Sequence, residues 1–248
     1  MKVKRVKKRG YLFQFDDLLK DFGCITNVYV VVGKKHVFIC DTYLGKEPME
    51  KIINYLNEII KGKEVIVFNS HSDWDHIWGN CYFTEKILSH ELCLDNIIKK
   101  GNYELKKYSP LASGKVSIKL PNITFKERLT FQDEEVCFFY SPGHTKDSAS
   151  LYDISDNVLF VGDNIEYPIP LIYYNNLKKY KKTLEKYALL KPDIFVLSHG
   201  NPDKGKLMES NLEYVKDLIN DKIEKYEEGI YKDIHKNNLD VLKNKSGS

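Results

Sequence analysis

The stretch NSHSDWDHIWGN, Asn69 to Asn80, places two histidines and two aspartates within six residues, directly after the apolar run VIVF at 65–68. A short apolar run rich in β-branched residues is typical of a buried strand, so the polar residues come where a loop begins. Imidazole and carboxylate groups at this density indicate either a metal site or a polar turn. The choice depends on what the rest of the chain supplies.

Three later apolar runs end in the same way. VCFFY at 136–140 leads to SPGH with His144, NVLFV at 157–161 leads to Asp163, and DIFVL at 193–197 leads to SHG with His199. In layered α/β proteins, ligand sites gather beyond the carboxyl ends of strands. Imidazole and carboxylate suit zinc, iron or manganese, so the four strand ends predict a centre for a pair of divalent ions. Asp163 is the candidate to bridge them.

Strand and helix patterns mix along the whole chain. Apolar residues at three-and-four spacing predict helices over 49–60, over 177–190 and over about 205–228, where the pattern is clearest at 212–226. Short runs such as YLFQF, VYVVVG and HVFIC predict strands between them. This mixture predicts a layered α/β fold. No linker divides the chain, so we expect one domain over 1–248, with residues 240–248 frayed.

Composition limits the classes of function. The chain is 42% hydrophobic and 29% charged with a net charge of +3, which fits a folded protein and gives little reason to expect nucleic acid as a partner. The basic start MKVKRVKKRG lacks the apolar core of a signal peptide, and no later segment has about 18 uninterrupted apolar residues. Five scattered cysteines predict reduced, packed thiols. We expect a cytoplasmic protein acting on a small molecule, away from membranes, and the oligomeric state stays open.

Taken in order, HSDWDH, SPGHT, FVGDN and LSHG resemble the metal motifs of the metallo-β-lactamase superfamily, with the bridging aspartate of its glyoxalase II-like hydrolases. The segment ICDT around Asp41 also resembles that family's early strand-to-turn segment. This resemblance implies a four-layer αββα sandwich with two divalent metals, zinc in most relatives, in a cleft at the edge between two sheets. By position, the implied ligands are His71, Asp73 and His144 for the first ion, Asp75, His76 and His199 for the second, and Asp163 between them. Asp41 would orient ligands by hydrogen bonds.

Asp73 departs from the family pattern His-x-His-x-Asp-His, which has histidine at this position. An aspartate oxygen reaches about as far as the nearer ring nitrogen of histidine, so we expect Asp73 to coordinate. Asp73, Asp75 and Asp163 then put three negative charges around two ions, which should raise the pKa of bound water and shift the preference towards harder ions. Zinc remains the expected ion, with iron or manganese as the alternatives that Asp73 suggests. We therefore expect activity to rise into the alkaline range.

The resemblance implies a hydrolase in which a metal-bridging hydroxide attacks an ester, thioester, lactone or related bond of a small molecule. Asp75 would hold the second ion and also orient the water or protonate the leaving group. Two alternatives stay open, a di-iron redox or oxygen-handling protein related to flavodiiron cores, which Asp73 suggests, and a catalytically weak metal-binding protein.

Other residues invite weaker interpretations. Trp74, Tyr167 and Tyr173 are candidates for the wall of a substrate pocket, although packing in the core explains each equally well. Single histidines are more often packed or surface residues than ligands, which is our interpretation of His36, His90 and His235. His90 follows the apolar run KILS and is the one of these that could approach the site.

Overall fold

The computed structural model describes residues 1–84 and 86–244, with only the backbone of Asn244. Two β-sheets form the centre of the molecule. The first contains, in spatial order, β1 (Lys2–Val6), β2 (Gly10–Phe15), β3 (Thr26–Val32), β4 (His36–Cys40), β5 (Glu64–Asn69), β6 (Lys86–His90) and β7 (Ile123–Phe125). The pairs from β1 to β4 are antiparallel, and those from β4 to β7 are parallel.

The second sheet holds the later strands. They are β8 (Arg128–Phe131), β9 (Val136–Tyr140), β10 (Ala149–Asp153), β11 (Val158–Phe160) and β12 (Ile194–Val196), in the spatial order β12-β11-β10-β9-β8. Neighbours are antiparallel except for β11 and β12, which run parallel. A parallel pair needs a crossover connection, and a helix between β11 and β12 supplies it.

Helices cover both outer faces. They are α1 (Leu19–Phe22), α2 (Lys46–Ile60), α3 (Trp74–Ile77), α4 (Glu91–Lys107), α5 (Leu177–Leu190), α6 (Lys206–Ile219) and α7 (Lys232–Asn244). Single 3₁₀ turns lie at Trp78–Tyr82, Ser109–Leu111, Gln132–Glu134, Glu224–Tyr226 and Gly229–Tyr231. Apolar residues of α2 and α4 pack on the first sheet, and those of α5 and α6 on the second. The layers are therefore helix, sheet, sheet and helix, which confirms the αββα sandwich that the resemblance implies.

The sequences of these strands are nearly continuous apolar runs because both faces of each sheet are buried. In β4, Phe38 and Cys40 face the second sheet, whereas Val37 and Ile39 face the helices of the first. Phe138 of β9 crosses the gap between the sheets and lies 4.9 Å from Phe68, measured between ring centroids. Each such buried side chain contributes about 1.5–3 kcal/mol, so this core fixes the two sheets that carry the site.

The C-terminal region differs from its prediction. The helix expected over about 205–228 begins at Lys206 and ends at Ile219, and the chain then makes short 3₁₀ turns before α7. The predicted end of this helix was wrong because Ile223 and Tyr226 continue the apolar spacing of the sequence. In the structure, Tyr226 packs into the core from a separate 3₁₀ turn. Residues 240–244, expected to fray, belong to α7, and 245–248 lie outside the described residues. Among the described helices none combines the length and apolar character needed to cross a membrane.

Candidate metal centre

Seven side chains from four strand ends meet at one edge of the sandwich. Four follow β5 of the first sheet, and His144, Asp163 and His199 follow β9, β11 and β12 of the second. The two halves of the chain thus supply ligands to the same place. The full set is His71, Asp73, Asp75, His76, His144, Asp163 and His199.

The first group is formed by His71, Asp73 and His144. Asp73 Oδ2 lies 3.5 Å from His71 Nε2 and 3.6 Å from His144 Nε2. Asp163 Oδ2 closes this group, at 3.6 Å from His71 Nε2 and 3.7 Å from His144 Nε2. Four potential ligand atoms therefore surround one point.

The second group is formed by Asp75, His76 and His199. Asp75 Oδ2 lies 3.4 Å from His76 Nε2 and 3.5 Å from His199 Nε2. The same Oδ2 atom of Asp163 lies 3.4 Å from His76 Nε2 and 3.3 Å from His199 Nε2. One carboxylate oxygen is therefore shared by two groups of ligand atoms, as a bridge between two ions requires.

The geometry fits cations better than it fits hydrogen bonds. These separations exceed normal hydrogen-bond lengths. They match the spacing of about 3.3–3.6 Å between ligand atoms in a tetrahedron whose metal bonds are about 2.0–2.2 Å long. The Nε2 atoms of His71, His76 and His144 and Oδ1 of Asp163 are buried and, among the described residues, have no hydrogen-bond partner. Buried polar atoms without partners are costly, and a bound ion would satisfy the three imidazole nitrogens.

Asp41 sits behind the second group. Its backbone has a φ of 61°, an uncommon conformation at the point where the chain leaves β4. Asp41 Oδ1 accepts the Ser70 backbone N–H at 2.7 Å, and Oδ2 accepts the Ser70 hydroxyl at 2.8 Å. His76 Nδ1 donates to Oδ2 at 2.9 Å, so Nε2 is left as the acceptor that faces the site.

The other histidines are held in a similar way. His144 Nδ1 lies 2.9 Å from the Leu171 carbonyl oxygen, which can only accept, so Nδ1 donates and Nε2 is the ring nitrogen that faces the site. His71 Nδ1 lies 2.9 Å from the Ser70 hydroxyl, and His199 Nδ1 lies 3.3 Å from the Thr26 hydroxyl. Each ring thus presents Nε2 to the centre.

The carboxylates and imidazoles of the site shift one another's pKa values, because each stabilises the charged form of the other. Burial by itself would raise the pKa of Asp163, but the surrounding imidazoles of His76, His199 and His71 hold it well below its ordinary value. Burial opposes protonation of His144, whereas the carboxylates of Asp73 and Asp163 raise its pKa to about 9. Protons and metal ions therefore compete for the same ring nitrogen.

A cavity of about 590 Å³ opens above the two groups. Asp75, His144, Asp163 and His199 lie on one side of it, together with Glu166. Trp74, Tyr167 and Tyr173 all line this cavity, and Phe22 and Tyr108 accompany them. Trp74 stacks on Tyr108 at a centroid distance of 4.9 Å, and Tyr167 is 76% exposed. The cavity is therefore lined both by polar groups of the candidate centre and by aromatic side chains, of which Phe22 and Tyr167 are exposed.

The remaining histidines lie elsewhere. His36 contacts Glu134 and Glu64 at the opposite end of β4 from Asp41. His90 caps α4 and stacks on Tyr140, and its Nε2 lies 2.7 Å from the Lys126 carbonyl oxygen. His235 lies against Tyr214. The structure thus places none of the three among the ligand groups.

Two charged residues near the centre were not singled out from the sequence. Lys100 of α4 contacts Asp73 Oδ1 at 2.7 Å. Glu166 lies with one oxygen 3.8 Å from His144 Nδ1, and burial raises its pKa. Glu166 follows Asp163 so closely that its place near the site could have been expected, whereas no motif connects Lys100 to Asp73.

Comparison with known proteins agrees with this geometry. Residues 21–199 match the family model described as the metallo-beta-lactamase superfamily. "Beta-lactamase-like protein 2 homolog" of Drosophila melanogaster is 25% identical over 179 residues, which cover 71% of this chain and 59% of that protein. "Metallo-beta-lactamase type 2" of Bacteroides fragilis is 22% identical over 209 residues, 80% of this chain and 77% of that protein. The chain thus spans less than two thirds of the Drosophila relative.

Solved structures share the fold. The metallo-beta-lactamase from Pontibacter korlensis superposes with a TM-score of 0.67 at 18% identity and covers 87% of this chain and 99% of its own. The family model covers well over half of the chain, and its matched region contains all seven side chains of the centre. This chain belongs to the metallo-beta-lactamase superfamily.

Proposed function

We propose that this protein is a two-metal hydrolase that cleaves an ester, thioester, lactone or related bond of a small molecule. Members of the superfamily are generally metal-dependent hydrolases. The observation that carries the proposal is the shared Asp163 Oδ2 atom, which lies 3.3–3.7 Å from four histidine Nε2 atoms belonging to two ligand groups. Two bound divalent cations, zinc in the first instance, would polarise the scissile bond and activate water there.

The protein's own groups have separate tasks in this proposal. His71, Asp73 and His144 would hold the first ion, Asp75, His76 and His199 would hold the second, and Asp163 would contribute to both. Asp75 belongs to the second group and also lines the cavity. It is therefore placed to orient water or to protonate a leaving group. Asp41 fixes the ring of His76.

The cavity indicates the kind of substrate. Its lining includes Phe22, Trp74 and Tyr167, and the ring centroids of Phe22 and Trp74 lie 5.6 Å apart. Such a lining favours a substrate with an apolar group next to the bond that is cleaved. Replacing Phe22 by serine should therefore raise KM for apolar esters with little change in kcat.

The test is a panel of esters, thioesters, lactones and phosphoesters, with metal analysis of the same preparation. We expect turnover that chelation abolishes and metal restores. Asp163→Asn should lose at least about a hundredfold in kcat/KM because it removes the charge of the bridge. His36→Gln is the matched control, since it removes a histidine at the far end of β4, and it should keep the wild-type rate. Full turnover after exhaustive chelation would refute the proposal.

The same measurements distinguish the alternatives. Asp73 adds a carboxylate to the first group and is the observation that favours a di-iron redox protein. Bound iron with reduction of oxygen and no hydrolysis would favour that function. Tight metal binding without any turnover would favour a protein that only binds metal.

A further inference from the structure

The two oxygens of Asp73 have different partners. Oδ2 faces His71 Nε2 and His144 Nε2 at 3.5 and 3.6 Å. Oδ1 accepts a hydrogen bond from Lys100 Nζ at 2.7 Å. The carboxylate is thus divided between the candidate metal position and an ammonium group.

Lys100 is held where it meets Asp73. It belongs to α4, and Cys93 and Ile97 of this helix are buried against the first sheet. Its side chain is 33% exposed, and Nζ also lies 3.2 Å from Glu104 Oε1, one helical turn further on. Glu104 belongs to none of the ligand groups. The ammonium is therefore a fixed part of the surroundings of Asp73.

Counting charge with Lys100 included changes the electrostatics of the site. Asp73, Asp75 and Asp163 alone give three negative charges, one more than a site with histidine in place of Asp73. The Lys100 ammonium at 2.7 Å offsets the extra negative charge that Asp73 brings to the ligand groups, and Glu104, which shares this ammonium at 3.2 Å, lies outside those groups. This ammonium therefore opposes the weakened Lewis acidity, the alkaline activity and the preference for iron or manganese that three carboxylates alone would give.

We propose that Lys100 is a positioning residue that holds Asp73 with only Oδ2 towards the first ion and offsets its charge, so that a carboxylate replaces the usual histidine. The inference rests on the proposed two-metal site. It also implies that the effects of positions 73 and 100 depend on each other. Lys100 should strengthen metal binding when residue 73 is aspartate and weaken it when residue 73 is histidine. With Asp73→His, the ammonium would stand next to a cation with no carboxylate between them.

The experiment is a zinc titration of the metal-free protein against a chromophoric chelator. It compares wild type, Lys100→Met, Asp73→His and the double variant at one pH and ionic strength, after circular dichroism has shown that each is folded. Asp73→His should bind the weaker-held ion about tenfold less tightly than wild type, and the double variant should recover at least about fivefold of that loss. Recovery of less than fivefold overturns the inference.

A second readout keeps the test decisive if Asp73→His does not fold. Cobalt absorption bands report the ligand geometry of the bound ions, and only the first position includes Asp73. Lys100→Arg, which retains the cation, should keep the wild-type bands, whereas Lys100→Met should shift them because Asp73 is released. Unshifted bands in Lys100→Met overturn the inference, as does Lys100→Arg behaving like Lys100→Met. Wild type that binds neither zinc nor cobalt overturns the proposed function as well, which separates the two failures.

Discussion

Asp41 shows how much of the site depends on a residue that touches no ion. It receives hydrogen bonds from His76 Nδ1, from the Ser70 backbone and from the Ser70 hydroxyl, all within 2.9 Å. An amide at this position offers one acceptor oxygen in place of two. Asp41→Asn should therefore weaken binding of the second ion by about ten- to a hundredfold, as measured by chelator competition.

Ser198 provides the control for this prediction. Its hydroxyl also reaches Asp41 Oδ2, but at 3.3 Å, the longest of these contacts. Ser198→Ala should leave the affinity close to that of wild type. If Asp41→Asn and Ser198→Ala lost affinity for the second ion equally, the effect would come from general disturbance of the buried cluster.

At the scale of elements, α7 supports the candidate site without contributing a residue to its ligand groups. Asn238 of α7 accepts the Ile172 backbone N–H at 2.9 Å and donates to the Pro170 carbonyl at 2.8 Å. These two residues flank Leu171, whose carbonyl holds His144. The C-terminal helix therefore positions His144, a candidate ligand of the first group, through one loop.

This arrangement predicts the effect of Asn238→Ala. The variant leaves a buried N–H and a buried carbonyl without partners, which should cost about 1–3 kcal/mol in the free energy of unfolding. It should also weaken binding of the first ion more than the second. Urea unfolding and stepwise zinc titration measure the two effects, and Asn220→Ala at the end of α6 is the control. Loss of stability with both ions bound as in wild type would contradict the proposed link to His144.

The elements also show where prediction from the sequence works. The helix predicted over 177–190 is α5 with the same bounds, because its apolar spacing is regular and Pro192 follows it. Helix α4 was not predicted, since Gly101 and a mixed polar sequence obscure its pattern. Glycine at 101 leaves room for close packing, since a Cβ there would meet side-chain methyl groups of Ile97 and Ile118 at about 3.3–3.4 Å. Lys100 was missed for the same reason, because its contact with Asp73 exists only once α4 is placed.

At the scale of the whole molecule, the candidate metal centre draws its side chains from strand ends in both sheets. Motif order was sufficient to predict this, since each ligand lies at the end of an apolar run that became a buried strand. The supporting contacts could not be predicted in the same way. Leu171 acts through a backbone carbonyl, and Asn238 lies 68 residues away from Pro170. No residue type or spacing in the sequence marks such a contact.

Metal removal should therefore destabilise the whole fold. Two ions held at about a hundred times their dissociation constants add about 5 kcal/mol, so chelation should lower Tm by roughly 10 °C or more. In the metal-free protein, the raised pKa of His144 stabilises the fold below pH 6.5, and this contribution is lost as the pH rises through about 9. An ion needs the neutral ring, so the gain in Tm from metal should be larger at pH 9 than at pH 6.5.

Calorimetry of loaded and metal-free protein at both pH values measures this difference. Asp163→Asn should show a much smaller gain in Tm at either pH, since it lacks the bridge. A gain that shrinks as the pH rises would contradict the competition between protons and ions at His144.

The turn from His71 to His76 contributes to both candidate ligand groups, since His71 and Asp73 belong to the first and Asp75 and His76 to the second. An insertion or deletion of one residue within it would exchange the partners of several side chains at once and empty both positions together. The loops that carry His144 and His199 each supply one ligand, so changes in their length would disturb one position at a time. Natural variation in loop length should accordingly accumulate outside this six-residue turn.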